Sequence, residues 1–347
     1  MKVIARSKDC VHEFDSAADE RLLYAGLRSG IELPYECGTG TCGTCKARLV
    51  AGEIADRWPV APGRALLKRE SGEFLMCQCI PVTDCVVELS QTVERLEAAS
   101  PVPSHCQGII RRATLLTRDV ILLAIDTDKP LVFEAGQFML VRVLGIAGFR
   151  AYSIVNFARG TTSIEFVVKR KPGGEISEKL FTEPVEGVEL TLYGPLGKAT
   201  FDPRVEKNVV CVAGGTGIAG MMSMLALALQ QRYFDRFKGH VFFGVRSSQE
   251  AFFLDQLSEF GAAFRQGLKI TVALSDEDVP KTYRDAYPDL RFEKGFVHEV
   301  AARYMGDWRG SVRAYIAGPP PAVEAALRLM IAGARLTPAD IRYDKFT

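Results

Sequence analysis

Hydrophobic and polar positions follow three different patterns along the chain. Between residues 106 and 203, short runs rich in β-branched residues lie between turn residues, which is typical of an antiparallel barrel or sandwich. From about residue 207 onward, strand-like runs alternate with helix-like stretches, and this predicts a parallel α/β domain. Before residue 95, an amphipathic helix is predicted over 17–28, capped by Asp15 or Ser16 and ended near Gly30.

These patterns predict three domains, over 1–95, 103–203 and 207–347. The stretch 98–104 is small, polar and proline-rich, so we expect a linker there. The first domain has a predicted strand at 82–89. The second has predicted strands at 109–117, 120–126, 137–143, 163–169 and 188–192, with a short helix after Gly173 and Gly174. The third has predicted strands at 209–213, 241–244, 269–274 and 312–317, and a helix at 218–231.

Composition excludes several classes of protein. Of the 347 residues, 48% are hydrophobic and 24% are charged, which is ordinary for a globular protein. The formal net charge of +1 argues against a nucleic-acid partner. The first residues contain no apolar signal region, and the longest apolar stretch, 218–229, is too short to span a bilayer. We therefore expect no membrane association and a cytoplasmic location.

Nine cysteines are present, and seven of them lie before residue 90. Cys37, Cys42 and Cys45 form a C-x4-C-x2-C pattern, the spacing of a plant-type [2Fe–2S] site. Structural zinc and inert buried thiols are the alternatives, but zinc sites more often use paired C-x2-C units. Spacing alone leaves the fourth ligand open between Cys77 and Cys79.

A four-residue segment in the second domain has the chemistry of a flavin site. Arg150 offers a guanidinium for a phosphate, Tyr152 an aromatic ring for stacking, and Ser153 a hydroxyl for a ring heteroatom. Downstream, Gly173 and Gly174 open a helix, and a helix N-terminus binds anions readily. Each signal is weak alone, because surface turns also have such sequences, but their order on a β-rich domain strengthens both.

The third domain has turn residues at the ends of its predicted strands, where ligands bind in parallel sheets. The glycine-rich turn 214–217 opens a helix and differs from the ordinary dinucleotide fingerprint. A carboxylate at Asp276 would accept hydrogen bonds from a ribose 2′-hydroxyl and repel a 2′-phosphate, which favours NADH over NADPH. Arg246 is the counterargument, since it could pair with a phosphate, and Asp276 could equally be a solvated loop acid.

With these motifs, the whole chain resembles the iron–sulfur flavoprotein reductases of bacterial multicomponent oxygenases, relatives of ferredoxin–NADP reductase. The domain order is similar to that of reductases serving toluene, phenol, xylene, benzoate and naphthalene oxygenases. The toluene monooxygenase reductases are especially similar at 35–37, 58–63 and 74–79. The resemblance implies an α+β multidomain fold: a β-grasp [2Fe–2S] ferredoxin domain, an antiparallel β-barrel FAD domain and an α/β parallel-sheet NAD domain.

The resemblance also implies roles for individual residues. The first cysteine of a Cys-Gln-Cys triplet is the family's ligand, so the implied cluster ligands are Cys37, Cys42, Cys45 and Cys77. The implied flavin-binding residues are Arg150, Tyr152, Ser153, Lys169, Gly174, Ile176 and Ser177. The nucleotide-binding candidates are Gly214, Gly215, Thr216, Gly217, Arg246, Asp276, Gly318 and Pro319. Phe346 matches the aromatic residue that covers the flavin, and the residues expected closest to the reaction are Tyr152, Ser153, Thr216 and Phe346.

Two positions depart from the family pattern. Ala317 stands where the family usually has a cysteine near the nicotinamide, and Gly220 stands where a proline usually follows the glycine-rich turn. Neither change removes a group that forms or breaks bonds.

The implied activity is an NADH-dependent electron-transfer reductase with FAD and a [2Fe–2S] cluster, acting as a monomer. FMN in place of FAD is left open. Its partner would be the terminal oxygenase or hydroxylase component of the system, or that component's ferredoxin. A reductase of sugar deoxygenation and a redox-sensing regulatory protein are the alternatives.

Overall fold

Three large β-sheets follow one another along the chain, with one further two-stranded sheet, in the computed structural model, which describes residues 1–97, 101–308 and 311–346. Each sheet lies within one of the three predicted domains. The first is mixed, the second antiparallel and the third parallel, so the predicted fold class is confirmed. The boundaries between the domains stay predictions.

The first sheet has the strand order β2-β1-β7-β3-β5, and a separate pair joins β4 to β6. Its elements are β1 (Lys2–Arg6), β2 (Val11–Asp15), α1 (Leu22–Arg28), β3 (Lys46–Ala51), β4 (Ile54–Asp56), β5 (Glu73–Leu75), β6 (Cys79–Pro81) and β7 (Cys85–Glu88). The strand predicted at 82–89 is therefore confirmed in a shorter form. The predicted amphipathic character of helix α1 is wrong. Its six consecutive residues 22–27 are all buried, so α1 is enclosed on every side by the core of this domain.

The predicted start of α1 is wrong. Asp15 pairs with Lys2 inside β2, so it cannot cap the helix. Asp19 has a φ of 58°, a left-handed conformation that a helix does not continue through. Ser16 donates its hydroxyl hydrogen bond to the carbonyl of Glu20, which closes a turn before the helix. The helix begins only at Leu22, after Arg21 in extended conformation.

The second sheet is antiparallel with the order β11-β10-β13-β8-β9-β12. Its elements are β8 (Ser104–Thr117), β9 (Val120–Leu131), β10 (Phe138–Val143), β11 (Arg150–Ser153), β12 (Thr161–Lys169), α2 (Glu175–Thr182) and β13 (Glu189–Leu196). An isolated bridge between Ile154 and Phe166 joins the two edges, which curls the sheet towards a barrel. Of the predicted linker, residues 98–100 lie outside the described residues, and Ser104 already belongs to β8.

The third sheet is fully parallel with the order β17-β16-β15-β14-β18-β19. Its strands are β14 (Asn208–Gly214), β15 (Gly239–Val245), β16 (Leu268–Leu274), β17 (Arg291–Lys294), β18 (Val312–Gly318) and β19 (Ile341–Lys345). Its helices are α3 (Ile218–Gln230), α4 (Leu254–Ala263), α5 (Lys281–Ala286), α6 (Val297–Arg303) and α7 (Pro320–Arg328). Burial of the central strands on both faces explains their continuous apolar sequences.

Alternate residues of β10 face two different cores. Met139 and Val141 pack inside the second domain, whereas Phe138 and Leu140 pack with residues of the first domain. A strand places successive side chains on opposite faces, so β10 connects the two domains through one of its faces. In the part of the chain that the structure describes, no helix is both long enough and apolar enough to cross a membrane.

Candidate cofactor sites

The loop between α1 and β3 holds three of the four predicted cluster cysteines. Two glycines, one in the loop and one in a neighbouring turn, are essential to its shape. Gly40 has a φ of 95°, and a Cβ there would lie 2.8 Å from the side-chain nitrogen of Gln78. Gly63, from a neighbouring turn, donates to the carbonyl of Gly40 at 2.9 Å and has no room for a Cβ. Backbone therefore packs directly on backbone around the thiols.

The four cysteines are grouped as two thiol pairs. Cys37 hydrogen-bonds with Cys42, and Cys45 with Cys77. The hydrogen bond within the first pair lowers the pKa of Cys37 and raises the pKa of Cys42. Two further donors point at sulfur: the Thr39 amide lies 3.4 Å from Cys37 Sγ, and the Gln78 side-chain nitrogen lies 3.5 Å from Cys77 Sγ.

Two thiol pairs suit a binuclear cluster better than a single ion. A [2Fe–2S] cluster takes two protein ligands on each iron, whereas structural zinc needs four ligands that converge on one point. Cys79 lies in β6 opposite Asp56, and burial raises the pKa of its thiol to about 12. This arrangement sets Cys79 apart from the two pairs.

The predicted flavin residues lie on β11, the edge strand beside β10. Arg150 makes its side-chain hydrogen bonds to backbone carbonyls, those of Phe149 at 3.1 Å and Ala147 at 3.5 Å. Its positive charge has no ion pair with a carboxylate among the described residues, so it is available to a phosphate. Burial raises the pKa of Tyr152 to about 12, which keeps its hydroxyl neutral.

Helix α2 begins in a compact turn that leaves its N-terminus open. The hydroxyl of Ser177 accepts from the Lys171 amide at 3.0 Å and donates to carbonyls of the same turn. A Cβ on Gly174 would lie 2.7 Å from that hydroxyl. Ile176 is buried and anchors the helix. A helix N-terminus with a close backbone approach fits the phosphates of a dinucleotide.

The glycine-rich turn after β14 packs directly against the end of β18. A Cβ on Gly217 would lie 2.2 Å from the Ala317 carbonyl oxygen, so only glycine fits. Gly318 makes a similar close approach to Gly214 and accepts a hydrogen bond from the Phe346 amide at 2.9 Å. Pro319, Gly215 and Thr216 complete this edge of the sheet.

The departures from the family pattern fit this geometry. Gly220, in α3, lies close to the second domain: a Cβ there would be 3.5 Å from the Gly136 carbonyl oxygen and 3.7 Å from Ser153 Cβ. The flavin motif on β11 therefore meets the first turns of α3. Ser223 strengthens the same junction, because its hydroxyl accepts from the Gly136 amide at 2.8 Å.

Arg246 is occupied by a carboxylate that sequence reasoning missed. The carboxylate of Glu250 pairs with the Arg246 guanidinium and also lies 3.6 Å from Lys169 Nζ. The same Nζ lies 3.3 Å from the carboxylate of Asp119. The amide of Asp276 donates to the carbonyl of Arg246 at 2.9 Å, and its exposed side chain adds a second negative charge nearby. This arrangement weakens Arg246 as a receptor for a 2′-phosphate.

The C-terminal strand brings the third domain to the cluster loop. The hydroxyl of Tyr343 hydrogen-bonds with the carboxylate of Glu36 at 3.5 Å, immediately before Cys37. Burial, with the nearby Glu36 charge, raises the pKa of Asp344 to about 7. The third domain therefore reaches the cluster loop through Tyr343, while the Phe346 amide is held by Gly318 at the end of β18.

Gln78 and Glu250 are the site residues that motif reasoning did not single out. Gln78 lies between Cys77 and Cys79. A polar side chain between two cysteines was the feature of the sequence that could have identified it as a neighbour of the cluster. Glu250 follows Arg246 by four residues, but that spacing is common in ordinary ion pairs.

Comparison with known proteins identifies all three domains. The family model of the 2Fe-2S iron-sulfur cluster binding domain matches residues 8–82. The oxidoreductase FAD-binding domain matches residues 107–201, and the oxidoreductase NAD-binding domain matches residues 211–328. The predicted cofactors, a [2Fe–2S] cluster, FAD and NAD, are confirmed at the level of the domains.

Relatives match over nearly the whole chain. The ferredoxin–NAD(+) reductase component of the alkene monooxygenase system of Xanthobacter autotrophicus is 31% identical over 96% of this chain and 97% of that protein. The aromatic O-demethylase reductase subunit of Amycolatopsis is 31% identical, over 96% of each chain. Among solved structures, the ferredoxin reductase in carbazole 1,9a-dioxygenase has a TM-score of 0.81 and 28% identity, covering 100% of this chain and 99% of that one.

The three domains and their sites define an NAD-dependent oxidoreductase with an iron–sulfur cluster and a flavin. The extent of the matches identifies the particular family: the chain belongs to the iron–sulfur flavoprotein reductases, the ferredoxin–NAD(P)(+) reductase components of multicomponent oxygenase systems. The relatives named here support neither a sugar-deoxygenation reductase nor a regulatory protein.

Proposed function

We propose that the chain carries electrons from NADH to the terminal component of an oxygenase system that acts on an aromatic or other hydrocarbon substrate. The observation that carries this proposal is the contact between the cluster loop and the strand beside the flavin motif. A Cβ on Gly38, in the cluster loop, would lie 3.2 Å from Leu140 Cδ1 on β10. In the antiparallel pairing of β10 with β11, Leu140 lies opposite Ala151, the residue between Arg150 and Tyr152. A direct route between the two cofactor sites is the main requirement of such a reductase.

The four cysteines of the two thiol pairs hold the cluster in this proposal. Thr39 and Gln78 donate hydrogen bonds to ligand sulfurs, and such bonds adjust the reduction potential. When bound, FAD accepts a hydride from NADH and passes single electrons to the [2Fe–2S] cluster. The protein's part is to hold, orient and shield these groups.

The flavin and the nucleotide meet between the second and third domains. Arg150 and the start of α2, with Gly174, Ile176 and Ser177, bind the FAD phosphates. Tyr152 packs against the flavin ring and Ser153 hydrogen-bonds to its edge, while Phe346 covers the ring from the C-terminus. Lys169 contributes positive charge at the domain junction, where it is balanced by Asp119 and Glu250.

The nucleotide binds across the carboxyl edge of the parallel sheet. Its binding residues are Gly214, Gly215, Thr216, Gly217, Arg246, Asp276, Gly318 and Pro319. Thr216 orients the nicotinamide end, and the backbone of the neighbouring glycines allows the close approach of the phosphates. At Ala317 the smaller side chain leaves more room beside the nicotinamide than a cysteine would.

NADH is the preferred nucleotide in this proposal. Glu250 already neutralises Arg246, and Asp276 adds a charge that repels a 2′-phosphate. Replacing Asp276 with arginine is expected to move the ratio of kcat/KM values towards NADPH by at least about tenfold, since reversing one charge beside a phosphate changes binding by more than 1 kcal/mol. Steady-state kinetics with both nucleotides measure the ratio, and an unchanged ratio would leave Asp276 without a role.

A single copy of the chain contains the whole electron path, which supports a monomer. None of the nine cysteines forms a disulfide, which supports a reducing, cytoplasmic location. The partner is the terminal oxygenase or hydroxylase component, or its ferredoxin.

Two electron acceptors test the proposed function. Ferricyanide is small enough to take electrons from the flavin directly, whereas cytochrome c takes them from the cluster. We expect NADH to drive the reduction of both by the complete holoenzyme, and the Cys77→Ser variant to lose only cytochrome c reduction. Equal activity of that variant with cytochrome c would show that electrons leave from the flavin and would overturn the proposed path.

A further inference from the structure

Two buried tyrosines from different domains stack on each other beneath the cluster loop. Tyr24 lies on α1 of the first domain, and Tyr193 lies on β13 of the second. Their ring centroids are 4.5 Å apart with an interplanar angle of 22°, and the two residues are 2% and 0% exposed. A stacked aromatic pair of this kind stabilises the contact between the two domains beyond the effect of its buried area.

Both hydroxyl groups continue the connection towards the cluster loop. Tyr193 donates to the carbonyl oxygen of Tyr24 at 2.8 Å. Tyr24 donates to the carbonyl oxygen of Gly38 at 3.0 Å, one residue after Cys37. A series of direct contacts therefore runs from the flavin-domain sheet through α1 to the cluster loop.

Burial keeps both hydroxyls in the neutral form that can donate these hydrogen bonds. It raises the pKa of Tyr24 and of Tyr193 far above neutrality, so both hydroxyls remain neutral donors. A buried hydroxyl without a partner would be costly, which favours the hydrogen-bonded arrangement over any other placement of the two domains.

Further contacts hold the same face of the loop. The amide of Gly197, just after β13, donates to the hydroxyl of Tyr35 at 3.0 Å. Gly38, with a φ of 66°, lies against Leu140 and Leu196 of the flavin-domain sheet. These contacts come from β10 and β13, and β10 is the strand that pairs with the flavin motif on β11.

We propose that Tyr24 and Tyr193 are positioning residues that fix the cluster loop against the flavin domain and so set the rate of electron transfer between the two cofactors. The proposal rests on the proposed placement of the cluster at Cys37 and its partners and of the flavin at β11. The step concerned moves one electron from reduced flavin to a ferric iron of the cluster, after NADH has supplied the reducing electrons. Its rate falls steeply with the distance between the centres, so a small shift of the loop slows it.

The conservative variants Tyr24→Phe and Tyr193→Phe remove one hydroxyl each and retain the ring. Tyr233→Phe is the matched control. Tyr233 is also a buried tyrosine with a hydrogen-bonded hydroxyl, but its hydroxyl contacts Lys207, away from the cluster loop. A merely structural role of buried tyrosine hydroxyls predicts similar effects in all three variants.

Anaerobic stopped-flow mixing of each holoenzyme with NADH separates the two electron-transfer steps. Bleaching of the flavin reports hydride transfer, and bleaching of the cluster reports the following step. We expect Tyr24→Phe and Tyr193→Phe each to slow cluster reduction by about fivefold or more. Loss of one hydrogen bond changes the equilibrium between the docked and undocked loop by about that factor. Flavin bleaching, the cofactor content and the midpoint potential of the cluster stay unchanged, and Tyr233→Phe leaves both rates unchanged.

Hydrogen exchange gives a readout that does not depend on turnover. In the NADH-free holoenzyme, amides of residues 36–45 should exchange about fivefold faster in Tyr24→Phe than in the wild type or in Tyr233→Phe. Cluster reduction at the wild-type rate in both Tyr24→Phe and Tyr193→Phe would overturn the proposal. An equal slowing of cluster reduction in the control Tyr233→Phe would also overturn it. Failure of the proposed function looks different, because NADH would then bleach neither centre in the wild type.

Discussion

Cys77 and Cys79 stand two positions apart, yet the structure gives them different surroundings. Cys77 pairs with Cys45 and receives the side-chain hydrogen bond of Gln78, whereas Cys79 is a strand residue of β6. We expect Cys77→Ser to abolish or severely reduce the cluster and Cys79→Ser to leave it nearly intact. Iron content and visible absorption of the purified variants measure this. Equal loss in both variants would mean that the ligand assignment is wrong or that the site is shared.

Two aspartates near the C-terminus are predicted to have opposite effects on stability. Burial raises the pKa of Asp344 to about 7, whereas the hydrogen bond from Lys207 lowers the pKa of Asp340. The folded state therefore binds a proton at Asp344 more tightly than the unfolded state does, and stability is lost as the pH rises from about 4 to 7. The hydrogen bond to Asp340 stabilises the folded state at pH values above the pKa that this carboxyl has in the unfolded state. That stabilisation is lost as the pH falls through the pKa of Asp340 in the folded state.

Amide substitutions test this pair of shifts. At pH 8, Asp344→Asn should raise the free energy of unfolding by about 1–3 kcal/mol and should flatten its decline between pH 5 and 8. The control Asp340→Asn should lower it by about 1 kcal/mol at the same pH. Urea unfolding of the holoenzymes over this range measures both effects. A destabilising Asp344→Asn variant at pH 8 would show that the carboxylate has a partner that stabilises its charge.

Among individual residues, the chemistry-bearing ones were the most predictable from sequence. The spacing of Cys37, Cys42 and Cys45 and the run of glycines at 214–217 reflect constraints that act within one loop, so they are visible in the sequence. Glu250 and Tyr193 act on residues of other loops or domains. Nothing in their local sequence marks them, because an acidic residue or a tyrosine in a strand is ordinary.

At the scale of elements, β11 and α2 form the predicted flavin site. Tyr152→Ala removes a stacking face, and Arg150→Ala removes a guanidinium that is free of carboxylates. Each should weaken FAD binding, with the arginine variant losing about 1.5–3 kcal/mol, the range for a charge-assisted hydrogen bond. Fluorescence titration of the apoprotein with FAD measures the affinity. Arg204→Ala is a suitable control, because Arg204 is exposed and pairs only with Asp202 among the described contacts. Unchanged affinity in both test variants would exclude this site.

Element boundaries show where sequence patterns stop being informative. The four central strands of the parallel sheet and helix α3 match their predictions closely, because their sequences are long apolar runs. The two edge strands, β17 and β19, were not predicted, because their residues are only partly buried and their sequences are mostly polar. Helix α1 starts later than predicted, since the left-handed Asp19 and the turn closed by Ser16 end the preceding segment first. Periodicity reports which face is buried, but it does not report such a local backbone reversal.

At the scale of the whole molecule, the cluster loop has one face towards the flavin domain and one towards solvent. Near the second face, Leu66 covers Gly43, and Val60, which precedes Gly63 by three residues in the chain, is 81% exposed. We expect this side to receive the electron acceptor, so Val60→Ser should raise the KM for cytochrome c by about two- to fivefold, the effect of losing roughly 1 kcal/mol of apolar burial. The rate of ferricyanide reduction should not change.

Val11→Ser is the control for that experiment. Val11 is 65% exposed on the edge strand β2, away from the contacts of the cluster loop. A similar rise in KM in both variants would indicate a general surface effect and would contradict docking at Val60.

The arrangement of the three domains could not be predicted from sequence patterns. Apolar positions in β10 were expected to be buried, but the pattern did not distinguish Met139, inside its own barrel, from Leu140, against the cluster loop. The contacts that join the domains come from residues far apart in the chain. Only the resemblance to a family of known domain order pointed to a shared electron path.

The most direct test of that path is an anaerobic titration of the holoenzyme with NADH, followed by visible absorption and electron paramagnetic resonance. We expect NADH to bleach the flavin and then to produce the signal of a reduced [2Fe–2S] cluster. In Cys77→Ser, NADH should bleach the flavin without producing the cluster signal. A cluster in the wild type that dithionite reduces, but that NADH leaves oxidised after the flavin is bleached, would contradict the account.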